Sequence, residues 1–290
     1  MKGKERIRIM SDNTFYMRFS LFHRFGHFLT IISFFGLVLT GMPLVFKDAA
    51  WARWLYEVMG GYPTAGIIHR FCAVLTFLVA FVHFTFLSYN IGVKNKGNYL
   101  WGPDSLIPNP KDLEDVLGDI KWFFGLGPRP RYGKWIYWEK IEYLSLMWGT
   151  IVMAVSGLIL WYPVQAVKFV PGFLAQVIDL PSLALIVHRY EGILAAVFIF
   201  TIHFIHTHLL PDKVPVDEAM FTGRVTEHDL IHERGTQYDM LVKENKLHEL
   251  KATPPSCMAS FGCKLIGIPL LIIGLVVSAL MISGLLVLLI

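Results

Sequence analysis

The sequence predicts an all-α integral membrane protein, a bundle of four transmembrane helices with a fifth added at the C-terminal end. Three observations lead there. Of the 290 residues, 54% are hydrophobic and 17% charged, too apolar for an ordinary soluble domain, a disordered chain or a nucleic-acid-binding module. Five uncharged stretches are long enough to cross a hydrocarbon core, which takes roughly 20 helical residues. The basic residues gather in alternate loops, as they do in chains threaded back and forth through a bilayer.

The five stretches are Phe25–Phe46, Phe71–Val93, Tyr143–Val167, Gly192–Pro211 and Leu265–Ile290. The first follows a basic segment but has no small-residue cleavage site and is too long for a signal peptide, so it reads as a retained helix. Lys and Arg number six in residues 1–27, seven in 90–136 and seven in 209–264, while the intervening loops hold little beyond Lys47, Arg53 and Lys168. Basic loops stay cytoplasmic, which puts the N-terminus inside, sends the first helix outward and brings Ile290 out on the periplasmic side. None of the five stretches carries Asp or Glu in its central turns, which argues against a transporter.

Between the spans, Trp51, Trp54 and Tyr56 read as an interfacial aromatic belt. The Pro- and Gly-rich loop 94–136 surrounds one amphipathic piece, Asp112 to Phe124, expected to lie on the membrane surface. Thr226 to Leu247 opens with Thr226 and Asp229 at capping spacing and reads as a solvated helix. There is no repeat and no low-complexity tract, so the chain divides into a bundle with its loops, 1–250, and a C-terminal helix, 251–290. Its three cysteines, Cys72, Cys257 and Cys263, form no CxxC, which excludes covalent c-type haem and cysteine-ligated iron–sulfur clusters and leaves free thiols.

Seven of the eleven histidines fall in or beside the spans: His27, His69, His83, His188, His203, His206 and His208. Ionisable groups at membrane depth are costly, and metal ligation by neutral imidazole accounts for them most simply. His69 and His83 are 14 residues apart on the second helix, His188 and His203 15 apart on the fourth. At about 100° per residue each pair returns to within roughly 40–60° of one face, about 21–22 Å apart along the axis. Both helices run inward, so His69 and His188 share the outer level and His83 and His203 the inner one. Paired imidazoles at matched depth on facing helices suit a haem with both axial positions filled, an electron carrier with no position open for dioxygen. The first helix runs the other way and delivers His27 to the inner level, where it competes with His83; a different site for each would make a third haem. Zinc would need three clustered ligands instead. Arg70 and Arg189 each follow an outer histidine and are placed to pair with haem propionates.

The stretches Arg24-Phe-Gly-His27, Leu39-Thr-Gly41, Ile68-His69-Arg70, Ser156-Gly157-Leu-Ile-Leu-Trp161-Tyr-Pro163, His188…Gly192…Ile202-His203 and Phe221-Thr-Gly223-Arg-Val225 resemble the gamma, cytochrome b, subunit of respiratory formate dehydrogenases. The b-type subunits of nickel–iron hydrogenases share the plan. The resemblance covers about residues 15 to 245. It implies two b haems in a four-helix bundle of the bacterial inner membrane, passing electrons between a periplasmic iron–sulfur or multihaem cytochrome subunit and menaquinone or ubiquinone near the cytoplasmic haem. Carried over by position, the outer haem takes His69 and His188, and the inner haem His27 and His203. His83 departs from that pattern and matches the two-histidines-per-helix plan of the bc and b6f cytochromes, which implies a quinol-oxidising alternative. Glu139 stands where the family has glutamine in its quinone region. With Glu142 it is the candidate proton relay to the quinone, since quinone reduction takes two electrons and two protons. A haem-free membrane anchor is the rival class, and it leaves the spaced histidines unexplained.

Overall fold

The computed structural model of the chain describes residues 14–94, 97–169, 171–172, 178–211 and 213–289. The basic residues before Thr14 and the terminal Ile290, expected on the cytoplasmic and periplasmic sides, lie outside these. In chain order the main elements are β1 (Phe15–Met17), α1 (Leu21–Val45), α2 (Ala50–Val58), α3 (Gly61–Gly92), α4 (Pro110–Phe123), α5 (Tyr137–Trp161), α6 (Pro163–Lys168) and α7 (Leu180–Phe198). After α7 come two π-helical segments, Ile199–His203 and Ile205–Leu209. There follow α8 (Ala219–Thr222), β2 (Arg224–Thr226), α9 (Glu227–Glu233), α10 (Gly235–Lys243), β3 (Lys251–Ala252) and α11 (Cys257–Leu289). Among the described residues, five helices are long and apolar enough to cross a membrane: α1, α3, α5, α7 with its π continuation, and α11.

The spans are where the hydropathy runs placed them, but their ends are not. The fourth begins at Leu180, not Gly192, because Asp179 caps it through Ser182 and Pro181 follows at the first turn. His188, Arg189 and Glu191 interrupt the apolar run without interrupting the helix, so one carboxylate does lie inside a span. The third stops at Trp161 rather than Val167, since Pro163 forces Tyr162 out of helical geometry and starts α6. The segment after Thr226 is two helices broken at Arg234, although Thr226 caps the first as its spacing predicts, accepting from the Asp229 amide at 3.0 Å. The short strands were not foreseen.

The chain forms two compact units. The first comprises residues up to Phe25, His83–Ser145 and Asp217–Leu265. Its sheet has the order β2-β1-β3, both pairings antiparallel, with Phe15 opposite Thr226 and Ala252. Gly223 has a φ of +79° and its carbonyl receives the amides of Arg18 and Phe19. A Cβ there would stand 2.6 Å from the Phe19 carbonyl oxygen, so only glycine fits. In α4, Asn109 and Asp112 form a capping box around Pro110. Asp112 also receives Lys140 at 2.9 Å, while Asp115 pairs with Lys111. Asp112 and Asp115 are thus buried, and Leu113, Leu117, Ile120 and Phe123 form an exposed apolar stripe on this helix.

Glu139 holds this unit together. Its Oε2 accepts the Ile136 amide at 2.8 Å and so caps α5, while Oε1 receives Arg18 at 3.2 Å and Arg234 at 2.7 Å. Both guanidinium groups are more than nine-tenths buried. Desolvation pulls the Arg234 guanidinium down to about 10, with the Glu139 carboxylate acting against that loss.

The second unit comprises Gly26–Val82, Leu146–Val216 and Ile266–Ile290. Its helices meet at glycines, as close packing in lipid requires. Gly36 of α1 receives the Cys72 side chain of α3. Gly192 of α7 lies against Met153 of α5 and Met42 of α1. In α11, Gly274 faces Phe200 and Phe204, and Gly284 faces Phe46. The fifth span is therefore fitted to the π-helical part of α7 and to the end of α1.

Two substitutions test this packing. Gly274→Val places its Cβ within 2.6–2.9 Å of the Phe200 and Phe204 rings and should cost about 1–3 kcal/mol, read as a lowered midpoint in thermal unfolding of detergent-solubilised protein. Glu139→Ala leaves two buried guanidinium groups without their shared carboxylate. It should cost about 3–5 kcal/mol, seen as faster limited proteolysis at Arg18, Lys134 and Arg234; wild-type resistance would contradict the anchoring role.

Candidate functional site

The second unit brings four of the histidines into two opposed pairs. His69 on α3 faces His188 on α7 with ring centroids 6.2 Å apart, and His27 on α1 faces His203 with centroids 6.4 Å apart. Two imidazoles bound to opposite sides of one metal, each through a nitrogen–metal bond of about 2.0 Å, have their centroids about 6.2 Å apart. Both pairs match that separation. His208 also stands 6.2 Å from His203 with the two ring planes at 90°, but it lies one π turn along the same helix and not on a facing one.

The outer pair is oriented by two equivalent devices. The Thr40 hydroxyl gives its proton to the Gly36 carbonyl at 2.6 Å and lies 2.8 Å from His69 Nδ1. The Ser156 hydroxyl gives its proton to the Val152 carbonyl at 2.7 Å and lies 2.9 Å from His188 Nδ1. A hydroxyl has one proton, and with it placed on the carbonyl the oxygen is left to accept from Nδ1–H. That fixes the tautomer and leaves the Nε2 lone pair of each ring free to bind a metal. Each hydroxyl residue is followed by a glycine against which the same ring lies: a Cβ on Gly41 would meet His69 Cε1 at 3.3 Å, and one on Gly157 would meet His188 Cε1 at 3.2 Å. The Thr40-Gly41 and Ser156-Gly157 dipeptides, noted in the sequence as parts of motifs, are thus the seats of the two imidazoles. The residues fit a bis-imidazole haem.

His203 lies at the end of the first π-helical segment. In a regular α-helix its 15-residue separation from His188 overshoots the face by about 60°. A π turn takes an extra residue per turn and winds the helix back, which aligns His203 with His27. The sequence does not announce this irregularity.

The remaining predicted residues are distributed as follows. His83 belongs to the first unit, where its Nε2 is 2.9 Å from the Tyr143 hydroxyl; Tyr143 was not foreseen as its partner. Arg189 is exposed and donates to the Val45 carbonyl at 3.0 Å, at the C-terminal end of α1. Arg70 is exposed with its guanidinium 5.8 Å from the Trp161 ring centre. Glu139 is bound by Arg18 and Arg234 as described, and Glu142 is half-buried one turn later on α5.

No family model matches the chain. It is similar to the cytochrome b556 subunit of formate dehydrogenase of Haemophilus influenzae, with 26% identity over 152 residues, 52% of this chain and 57% of that protein. The chain thus spans little more than half of that relative's length. The cytochrome b556(fdo) subunit of Escherichia coli formate dehydrogenase is 25% identical over 212 residues, 72% of this chain and 85% of that protein. The cytochrome b556(Fdn) subunit of the nitrate-inducible formate dehydrogenase of Escherichia coli is 25% identical over 187 residues, 64% of this chain and 74% of the relative. The chain is a multi-pass membrane protein whose curated relatives here are cytochrome b subunits of formate dehydrogenases.

Proposed function

We propose that this chain is the membrane-embedded b-type cytochrome subunit of a respiratory oxidoreductase complex of the bacterial inner membrane, exchanging electrons between a periplasmic redox subunit and the quinone pool. The observation that carries the reading is the pair of opposed imidazoles with hydroxyl-fixed tautomers, His69–Thr40 and His188–Ser156. Two haem b groups are assigned, one to His69 and His188 and one to His27 and His203. When bound, they supply reversible one-electron chemistry with no position open for dioxygen.

The protein's own residues do the rest. The Thr40 and Ser156 hydroxyls hold the imidazoles in the ligating tautomer, and Gly41 and Gly157 admit the rings. Arg70 and Arg189, beside the outer pair, are assigned to the propionates, a charge-assisted role that their exposed position permits. The 15 residues from His188 to His203 correspond to about 22 Å along the helix, which separates the two sites toward opposite leaflets. Basic loops put the N-terminus in the cytoplasm and the C-terminus in the periplasm. Menaquinone or ubiquinone is assigned to the cytoplasmic side, with protons delivered through Glu142; Glu139, shared by two guanidinium groups, serves as the anchor of that region instead. The apolar stripe of α4 is assigned to the bilayer surface. A periplasmic iron–sulfur or multihaem subunit, of the formate dehydrogenase or hydrogenase type, completes the complex and carries the substrate chemistry.

Replacement tests the ligand assignment. His188→Ala should lower the haem content of the purified protein from two per chain to one; retention of both would refute the assignment. His27→Ala should remove the other low-spin signal, while His83→Ala should keep both haems. Loss of a haem in His83→Ala with full retention in His27→Ala would reverse the inner assignment. Ser156→Ala frees the His188 tautomer and should weaken haem retention about 10- to 100-fold, measured by haem transfer to apomyoglobin.

A further inference from the structure

The start of α7 at Leu180 places Glu191 about 16 Å along the helix from its first residue and about 27 Å from Leu209, so it is inside the span and not at its rim. Its carboxylate lies against α5: Oε1 is 3.0 Å from the position a Cβ on Gly149 would occupy. Gly149 therefore provides the notch this side chain fills. No hydrogen bond or ion pair joins Glu191 to another described residue. A carboxylate at this depth without a partner is costly to keep.

The long helices of the same unit carry few ionisable groups, and the shorter α2 and α6 add Arg53, Tyr56, Glu57 and Lys168. Between Leu146 and Trp161, α5 has none; α1 from Gly26 to Val45 has only His27; α3 up to Val82 has Tyr62, His69, Arg70 and Cys72; and α11 from Ile266 onward has none. On α7 itself His188 stands one turn before Glu191, Arg189 is engaged with the Val45 carbonyl and Tyr190 is exposed. His203, His206 and His208 are three or more turns away. Of the two histidine pairs, the one that His188 shares with His69 is the nearer to Glu191 along α7.

We propose that Glu191 binds one proton when the haem held by His69 and His188 gains one electron, and releases it on oxidation. This rests on the haem assignment above. The electron comes from the quinol pool or the partner subunit, the proton from the aqueous phase; the ferric centre becomes ferrous as the carboxylate becomes carboxylic acid, and the local charge stays constant. His188 stands one helical turn from Glu191 on the same helix, so the electron gained at that site acts on this carboxylate at short range.

The test is a potentiometric titration of the purified, haem-loaded protein at several pH values, read from the b-type absorbance. In the wild type the potential of one haem should fall by up to about 59 mV per pH unit, the tenfold change in proton activity converted for a one-electron couple. Redox difference infrared spectroscopy should show a carboxylic acid carbonyl band appearing on reduction. Glu191→Gln should abolish both the slope of that haem and the band, Glu191→Asp should restore them, and the other haem should titrate as before. Normal b-type bands with an unchanged slope in Glu191→Gln overturn the proposal alone. Absence of b-type bands in the wild type removes the haem assignment and the proposal with it. Should Glu191→Gln fail to assemble, the wild type still decides, because pH-independent potentials for both haems overturn the proposal.

Discussion

The Thr40 and Ser156 hydroxyl protons are both donated to carbonyls one turn earlier on their own helices, to Gly36 and Val152. From that arrangement the geometry of the outer pair follows. With its proton committed, each oxygen accepts, so His69 and His188 present Nδ1–H to it and keep the Nε2 lone pair free. In water such a bond would compete with solvent. In hydrocarbon no solvent offers an alternative, and the orientation is held by the cost of leaving any of these groups unpaired. The glycines after Thr40 and Ser156 complete the device by letting the rings approach the backbone of α1 and α5. A threonine or serine followed by glycine is a modest sequence feature, yet two copies of it on different helices build one symmetrical seat.

Much of the architecture was legible in the amino-acid order because the bilayer imposes a simple length rule on apolar runs. All five spans were found that way. Their ends were not, since hydropathy responds to residue type and a helix responds to backbone bonding: His188, Arg189 and Glu191 look like a boundary and are in fact two to three turns inside α7. That error hid an intramembrane carboxylate. The histidine pairs were legible through spacing, and the rings of His69 and His188 stand 6.2 Å apart in the structure. At the inner level the regular 3.6-residue period favoured His83, while the opposed ring in the structure is His27. The difference lies in the π turns after Phe198, which no periodicity argument anticipates, and in Tyr143, which lies 60 residues from His83 and takes up its Nε2.

The first unit shows the complementary limit. Its strands are two or three residues long and join segments more than 200 residues apart. Glu139 receives Arg18 and Arg234 from 121 and 95 residues away. Nothing local marks these residues for one another, and a glutamate followed by Lys140 reads as an ordinary surface pair. Burial of both guanidinium groups makes that residue a joint between β1, α5 and the break before α10. The same polar economy governs α4, where the acids turn inward to meet Lys140 and Lys111 and the leucines face out.

The sheet order β2-β1-β3 has a bearing on biogenesis. The central strand is made first, while both neighbours lie beyond the fourth span, so β1 leaves the ribosome with neither edge satisfied and waits through four insertions by the translocon before Arg224–Thr226 arrives. The second edge closes only when Lys251–Ala252 follows, shortly before the fifth span is synthesised. Tertiary closure of that unit is consequently post-insertional, and a nascent chain arrested after its third span carries an N-terminal strand with no place to dock.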